Sequence, residues 1–342
     1  MYIEKIIMKS PCRNTLETRF GLRGALAAAA ALLMLASGAA FGQAWPTKPV
    51  RIVHGFTSGG PVDIIARLVA AYFSERLGQQ AIVEGKPGAG GTVGANYVAK
   101  SNADGYTLFL MPSGHSTAAG LYKSLPYDPA DDFTMISMLA NSPFAVITGP
   151  TTGYASLKDL VEKARAEPGK IAFGTGGVGS GMHLVAVLLQ ARTGIQMNHI
   201  PYKGGNALNM ALISGEVPVL FTSVAGITPF IESGKMRLLA VTSKERYAPL
   251  PNVPTISETM LPDFDVRAWY ALAGPKNLPL QIVSKLNEAL HAALNRRDFA
   301  DKLLVLGAQP WPTSAREAQE FLASEVARWT KVIRDENIQS VN

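Results

Sequence analysis

The stretch Val50-Arg51-Ile52-Val53-His54-Gly55-Phe56-Thr57-Ser58-Gly59-Gly60-Pro61-Val62-Asp63 decides the fold class of this chain. Its first four residues are typical of a buried strand. Residues 63–77 then repeat apolar side chains at helical spacing, and Gly78 follows as a stop signal. Pro61 suits the first helical position, where its missing N–H costs nothing. A strand, a turn poor in side chains and a helix in this order predict an α/β fold with parallel-rich sheets flanked by helices.

The same alternation of strands and helices continues along the chain. Met135–Thr148 and Val266–Ala273 are β-like segments long enough to connect two lobes. Two connections, rather than one, predict a two-segment hinge and a return of the carboxyl-terminal helices to the first lobe. We therefore expect residues 45–143 plus 268–342 to form lobe 1 and residues 144–267 to form lobe 2.

Residues 1–44 have the composition of a secretory signal peptide. Basic residues precede the apolar run Ala25–Ala36, and small residues follow it up to Ala44. The run is shorter than the roughly 20 residues that span a bilayer. We expect cleavage after Ala44, with Ala40 as the alternative, and a periplasmic location for the mature chain.

The charge and the cysteine content exclude several classes of protein. The chain has a net charge of +6, and residues 1–44 contribute five basic and two acidic residues, so +3 remains after cleavage. No Lys/Arg run survives that could bind nucleic acid. The single cysteine, Cys12, also leaves with the signal, so the mature chain forms no disulfide.

The turn Gly55–Asp63 has the features of an anion cradle. Its glycines permit close approach to the backbone, and the N–H groups at the start of a helix favour negative charge. An ordinary strand-to-helix turn is the alternative. The candidate ligand contacts are Phe56, Thr57, Ser58, Gly59 and Gly60. We expect a side chain at Gly60 to occupy ligand space and to strain φ.

Two further turns follow predicted strands. Gly174–Gly181 contains five glycines in eight residues, which is more than a tight turn needs. A dinucleotide site would require an acidic residue about 20 positions later, but Asn198–Pro201 contains none. In Met111–Thr117, Ser113 and His115 are candidate ligand contacts because small polar groups beside glycine suit a carboxylate. Helix capping by Ser113 or Ser116 is the equally supported alternative.

The sequence lacks the common catalytic and metal-binding patterns. No G-x-S-x-G, HExxH or CxxC occurs, so we expect no enzyme, no metal and no cofactor. His54 and His115 lie near predicted loop ends, which leaves an exported α/β enzyme with a histidine base as an alternative. The glycine-rich segment Lys86–Thr92 is expected to cap a helix that begins near Thr92.

Several strings resemble the Bug family of periplasmic solute-binding receptors, the substrate-binding proteins of tripartite tricarboxylate transporters. The resemblance covers essentially the whole mature chain, in order. The strings that carry it are Trp45–Val50, Gly59–Asp63, Gly85–Gly91, Asp104–Leu108, Leu125–Pro129, Pro201–Gly205 and Ala248–Thr255.

The resemblance implies a two-lobed, type II-like periplasmic binding protein that closes around a ligand. It points to Thr57–Gly60 for one ligand carboxylate, and to Gly177, Ser180, His183 and the segment around Thr222 from lobe 2. Amino-acid-binding relatives typically place an aspartate after the strand that here ends in Thr222-Ser223. A hydroxyl cannot offset a buried ammonium, so the ligand is expected to lack an amino group.

These observations together predict an exported, monomeric receptor for a small carboxylate. The expected ligand is a di- or tricarboxylate or an aromatic acid. The expected partners are the membrane subunits of a tripartite tricarboxylate-type transporter. A receptor that signals to a membrane sensor would have the same sequence features and remains the alternative.

Overall fold

Strands and helices alternate along the chain in the predicted way. The structure is a computed structural model that describes residues 45–203 and 205–339, so the signal predicted over residues 1–44 lies outside the described part. The strands of the described residues are β1 (Val50–His54), β2 (Ala81–Gly85), β3 (Thr107–Pro112), β4 (Phe133–Thr148), β5 (Ala172–Thr175), β6 (Asn198–Pro201), β7 (Val219–Ser223), β8 (Arg237–Val241), β9 (Arg267–Pro275) and β10 (Gln309–Pro310).

The helices begin and end at signals in the sequence. Pro61 opens the first helix, which Gly78 ends in the left-handed conformation with φ of 69°. Ser156 and Ser314 each form a capping box with the acidic residue three positions later. The helices of the described residues are α1 (Pro61–Leu77), α2 (Thr92–Ala99), α3 (Gly114–Leu121), α4 (Leu157–Ala166), α5 (Gly181–Thr193), α6 (Gly205–Ile213), α7 (Thr228–Glu232), α8 (Ile256–Thr259), α9 (Leu280–Asn295), α10 (Arg297–Val305) and α11 (Ala315–Asp335).

The strands form a mixed sheet with two halves. The first half has the order β2-β1-β3-β9-β4, and the second half continues as β4-β7-β5-β6, with β10 and β8 also paired to β4. β1 is parallel to β2 and β3, and β5 is parallel to β6 and β7. Ligands of open parallel sheets bind beyond the carboxyl ends of such strands. The glycine turns after β1 and β5 occupy these positions.

Strand β4 belongs to both halves of the sheet. Its pairing with β9 ends at Pro143 opposite Arg267, and its pairing with β7 begins at Phe144 opposite Ser223. The chain therefore crosses between the halves within β4 and crosses back where β9 begins. These are the two segments that the sequence predicts as connections.

Helix α11 packs against both halves. Near its start, Leu322 is buried in a cluster with Phe109 of the first half. Near its end, Trp329 is buried in a different cluster with Leu184 of α5 in the second half. A single helix thus contributes to two hydrophobic cores.

A buried carboxylate lies at the middle of α11. Glu325 accepts N–H groups from Trp269 at 3.2 Å and Trp329 at 2.9 Å. It also accepts a hydrogen bond from Arg328, whose guanidinium donates to the carbonyl of Asp265 at 2.9 Å. Because Asp265 and Trp269 flank the start of β9, this network joins α11 to the crossover.

The structure confirms the predicted α/β class and the long elements within a few residues. The sequence did not predict the short helices α6, α7, α8 and α10, because four to nine residues carry too few apolar repeats to define a helical face. Helix α3 was expected only through the alternative in which Ser113 or Ser116 caps a helix, and Ser113 does precede it, without a side-chain capping bond. Among residues 45–203 and 205–339, no helix is long and apolar enough to cross a bilayer.

Replacing Trp329 by alanine is expected to lower the free energy of unfolding by about 3–5 kcal/mol. The indole is 4% exposed and donates to Glu325, so its loss creates a cavity and removes a donor from a buried carboxylate. Urea denaturation measures the change. Thr330→Ala is the matched control on the exposed face of α11 and should change stability by less than about 0.5 kcal/mol. Equal effects of the two substitutions would contradict the packing described for α11.

Candidate functional site

The turn after β1 is held in shape by Asp63. One carboxylate oxygen of Asp63 accepts the N–H of Gly59 at 3.0 Å and a hydrogen bond from Arg67 at 2.9 Å. The other oxygen lies 3.2 Å from Nε2 of His54. Gly59 has a φ of 84°, whereas Gly60 is extended with a φ of −91°. The positive φ at which a side chain would be strained is therefore found at Gly59, and not at Gly60 as expected. The hydrogen bonds of Asp63 hold the turn in this conformation.

The protonation states at this turn follow from burial and from these contacts. Burial raises the pKa of Asp63, but the hydrogen bonds from Arg67 and Gly59 outweigh it, and the pKa lies below its ordinary value. Burial lowers the pKa of His54, and Asp63 opposes that shift only in part. Nδ1 of His54 accepts the N–H of Phe56 at 3.3 Å. With both ring nitrogens engaged, His54 has a structural role.

The turn after β5 is held by a second set of buried polar side chains. Thr175 accepts the N–H of Gly177 at 3.2 Å, and Ser180 donates its hydroxyl proton to the carbonyl of Gly177 at 2.7 Å. Ser180 also caps α5 by accepting the N–H of His183 at 3.2 Å. Nδ1 of His183 accepts the N–H of Gly179 at 3.3 Å. Ser180 and His183 therefore fix the backbone of the turn.

Two histidines stack behind this turn. The rings of His183 and His199 lie 4.5 Å apart between centroids, and His199 Nε2 is 2.7 Å from the hydroxyl of Thr175. Burial lowers the pKa of each ring to about 4, and for His183 the neighbouring His199 adds to the effect. Both rings are neutral at pH 7, which leaves Nδ1 of His183 able to accept a hydrogen bond.

The turn after β3 places its two candidates differently. His115 is 5% exposed, bonds to the carbonyl of Pro129 at 2.8 Å and stacks on Tyr127 at 5.6 Å. Burial lowers the pKa of His115 to about 4. The hydroxyl of Ser113 faces the start of α5, because a Cβ built on Gly181 would lie 3.2 Å from Ser113 Oγ. His115 thus lies in the aromatic core of the first half, and Ser113 lies where the two halves meet.

A cavity of about 290 Å³ separates the glycine turns. One water molecule occupies about 30 Å³ of the liquid, so this space admits a solute of several heavy atoms. Six of its eleven lining residues are glycines, and Lys203 is the single charged one. The lining residues are Gly55, Gly88, Ala89, Gly90, Gly91, Gly176, Gly177, Val178, Pro201, Tyr202 and Lys203.

The predicted residues take different places around this cavity. Gly177 lines it, and the ring of Phe56 fills the space between Gly91 and Gly176, since Cβ atoms built on these glycines would lie 3.2 and 3.6 Å from the ring. Thr57 donates its N–H and its hydroxyl to the carbonyl of Lys203, each at 3.2 Å. Ser58 is exposed on the same turn.

Thr222 lies at the end of β7, outside the cavity lining. It is 2% exposed and pairs with Ala145 of β4. Its neighbour Ser223 accepts a hydrogen bond from the hydroxyl of Tyr270 at 3.2 Å, which joins the second half to β9. Thr222 is therefore a buried position beside the crossover between the halves.

The two halves meet through backbone. A Cβ on Gly90 would lie 2.8 Å from the carbonyl carbon of Gly179, and a Cβ on Gly114 would lie 2.7 Å from the amide nitrogen of Gly181. The hydroxyl of Tyr122 donates to the carbonyl of Val178 at 3.0 Å. The structure is therefore a closed arrangement in which glycines permit contact across the cavity.

Two segments of the cavity wall, Gly88–Gly91 and Pro201–Lys203, were not predicted as ligand contacts from the sequence. The loop containing Gly88–Gly91 was expected only to cap α2, and it does precede that helix. Pro201–Lys203 appeared only as part of the family resemblance. The excess of glycines in Gly88–Gly91 over the needs of a cap was the signal that could have identified the first segment. Within the described residues, no group of three or more His, Cys, Asp or Glu could hold a metal ion.

The chain matches the family described as tripartite tricarboxylate transporter family receptor over residues 65–338. It belongs to this receptor family. Protein BugT of Bordetella pertussis is 34% identical over 293 residues, which cover 85% of this chain and 90% of BugT. The resemblance predicted from the short strings is confirmed. The proteins of this receptor family bind solutes.

Solved structures of similar proteins share the fold. "R. palustris Rpa4515 with adipate" has a TM-score of 0.83 and 35% identity, and covers 87% of this chain and 100% of its own. The periplasmic binding protein BugD has a TM-score of 0.83, 32% identity and the same coverage. MatC from Rhodopseudomonas palustris with bound malate has a TM-score of 0.81 and 31% identity, covering 84% and 100%. The predicted two-lobed class of the receptor family is thereby confirmed.

Lowering the pH from about 6.5 to about 4 is expected to destabilise this receptor. His115, His183 and His199 have pKa values of about 4 when folded, against roughly 6.5 when unfolded. Between these values the unfolded chain binds more protons, so stability is lost as pH falls, by up to about 1.4 kcal/mol per pH unit for each ring. Urea denaturation at a series of pH values measures this slope.

Carboxylates titrate over part of the same pH range, so a variant is needed to separate the contribution of one histidine to this slope. His199→Gln removes one ring while keeping a polar partner for Thr175, so the slope between about pH 5 and 6 should fall by at least the contribution of one ring. A variant with the full wild-type slope would show that His199 is not a neutral buried ring.

Proposed function

We propose that this protein is an exported receptor that captures a small carboxylate in the glycine-lined cavity and delivers it to the membrane subunits of a tripartite tricarboxylate-type transporter. The observation that carries the proposal is the composition of the cavity. It is walled by backbone from both halves of the sheet, contains one lysine and contains no acidic residue. Such a wall suits an anion and offers no partner to an ammonium group.

Two helices add to the preference for anions. α1 and α5 begin at the turns after β1 and β5. The first N–H groups of a helix have no intrahelical acceptor and carry the positive end of its dipole. Asp63, the acidic residue of the first turn, is already bonded to Arg67, Gly59 and His54, so it is not available to a cationic ligand.

The proposed lobes follow the change of strand pairing. Lobe 1 is residues 45–143 plus 268–342, and lobe 2 is residues 144–267, with the hinge in β4 and at the start of β9. The switch of β4 from β9 to β7 between Pro143 and Phe144 supports this division. The end of α11 packs on lobe 2, so the second segment of lobe 1, residues 268–342, reaches across the hinge.

The proposed ligand contacts keep seven of the residues predicted from the sequence, of which Gly177 lines the cavity. They comprise the turn after β1, the turn after β5 and the serine that faces the start of α5: Phe56, Thr57, Ser58, Gly59, Gly60, Gly177 and Ser113. Ser180 and His183 act by shaping the second turn. His115 is left out because its Nε2 bonds to Pro129 within an aromatic cluster.

Carboxylates without an amino group should bind more tightly than amino acids of matching length. We expect succinate or adipate to exceed aspartate or glutamate by about a hundredfold, because roughly 3 kcal/mol is a modest penalty for an unpaired buried ammonium. Isothermal titration of purified mature protein measures both classes. Tighter binding of glutamate than of its deaminated analogue would overturn the proposed charge selection.

The variant Thr222→Asp tests whether a buried position outside the cavity lining contributes to the predicted charge selection. A carboxylate introduced at this position, where Thr222 is 2% exposed, would be removed from water, so the variant should lose thermal stability. An amino acid that brings its ammonium group to this position should restore stability more than a dicarboxylate does. Equal responses to both ligands would remove Thr222 from the site.

Alanine at Gly90 should block closure and therefore binding. Its Cβ would lie within 2.9 Å of Ser180 N on the opposite turn, so we expect at least a tenfold loss of affinity. Gly153→Ala is the matched control, because Gly153 has a similar positive φ of 79° but nothing within 4 Å of its Cβ. Both variants should lose comparable stability, and only Gly90→Ala should lose binding. Wild-type affinity in Gly90→Ala would exclude closure at this contact.

A further inference from the structure

Lys203 is the one charged residue in the wall of the cavity. It is exposed and lies two residues after the end of β6. Among the described residues, no carboxylate lies within ion-pair distance of its ammonium group. Lys86, on the loop leading to the opposite wall, differs because it is paired with Glu84 at 2.7 Å. Lys203 is therefore the single cation of the cavity wall without an ion-pair partner, and it lies in the wall segment Pro201–Lys203.

The backbone at this position is anchored from two sides. The carbonyl of Lys203 accepts the N–H and the hydroxyl of Thr57 from the opposite turn. The preceding residue, Tyr202, donates its N–H to Thr175 at 3.0 Å and its hydroxyl to Glu216 at 2.6 Å. The root of the lysine side chain is thus held in place when the halves are closed, while its ammonium group remains on a flexible stem.

We propose that Lys203 selects ligands with two carboxylates. One carboxylate of the ligand lies at the glycine turns, and the ammonium group of Lys203 pairs with the second carboxylate at the cavity edge. The inference rests on the proposed function and deepens it, because it names a linear dianion rather than a monoanion as the preferred ligand. Closure through Thr57 brings Lys203 to the ligand, so the ion pair forms only in the closed protein.

The size of the effect follows from the exposure of the lysine. An exposed ion pair is screened by water and contributes modestly, whereas the low-dielectric wall of glycine backbone strengthens it. We expect loss of the charge to weaken a dicarboxylate about three- to tenfold. A monocarboxylate of the same chain length should be unaffected.

Matched pairs of acids test the inference by isothermal titration of the mature protein. Adipate is compared with hexanoate, succinate with butyrate, and terephthalate with benzoate. Lys203→Met keeps the length of the side chain and removes its charge, and Lys203→Arg keeps the charge. Lys235→Met is the control at an exposed lysine outside the cavity lining.

We expect Lys203→Met to bind the dicarboxylates with three- to tenfold lower affinity and the monocarboxylates with nearly unchanged affinity. The variants Lys203→Arg and Lys235→Met should bind both classes nearly as the wild-type protein does. The salt dependence of dicarboxylate binding should also decrease in Lys203→Met. Unchanged dicarboxylate affinity in Lys203→Met, or an equal loss for both members of a pair, overturns the role of Lys203 and leaves the proposed function intact. Failure of the wild-type protein to bind any of these acids overturns the proposed function itself.

Discussion

The closed arrangement depends on backbone meeting backbone across the cavity. At Gly90 against Gly179 and at Gly114 against Gly181, even one methyl group would lie closer to the opposite chain than real Cβ atoms do. The excess of glycines in the two halves is therefore a requirement of closure, in addition to any requirement of the turns. The same absence of side chains leaves main-chain N–H groups and helix termini as the chemistry of the cavity, which favours small anions.

Glycine turns of this kind need an external source of rigidity, and buried polar side chains provide it. Asp63 binds Gly59 in the first turn, and Thr175 binds Gly177 in the second. His183 supports the second turn from behind, which it can do only while its ring is neutral. Ser180 and His183, which the sequence suggested as ligand contacts, instead hold the backbone of the second turn in place.

The parts of the fold that the sequence predicts are those with long-range periodicity. α1 and β4 were placed to within a few residues because their apolar patterns are long. α3 was expected only as an alternative, because Gly114–Leu121 consists mainly of small residues and has no apolar stripe. The glycine turns identified the site region, but the pairing of the loop Gly88–Gly91 with the turn after β5 is a tertiary contact. Glycines carry no pattern that reveals their partner.

The contacts that hold the two halves together differ in strength. Across the cavity they are a few hydrogen bonds, such as the one from Tyr122 to Val178 and the two from Thr57 to Lys203, each of which contributes about 1 kcal/mol. At the crossover, Glu325 and Trp329 of α11 are buried, and Glu325 bonds to the indole N–H groups of Trp329 and of Trp269 in β9. Breaking the first set exposes little apolar surface, whereas breaking the second exposes a tryptophan. We therefore expect the proposed hinge to open at the cavity with the contacts of α11 retained, so that solutes exchange without loss of the fold.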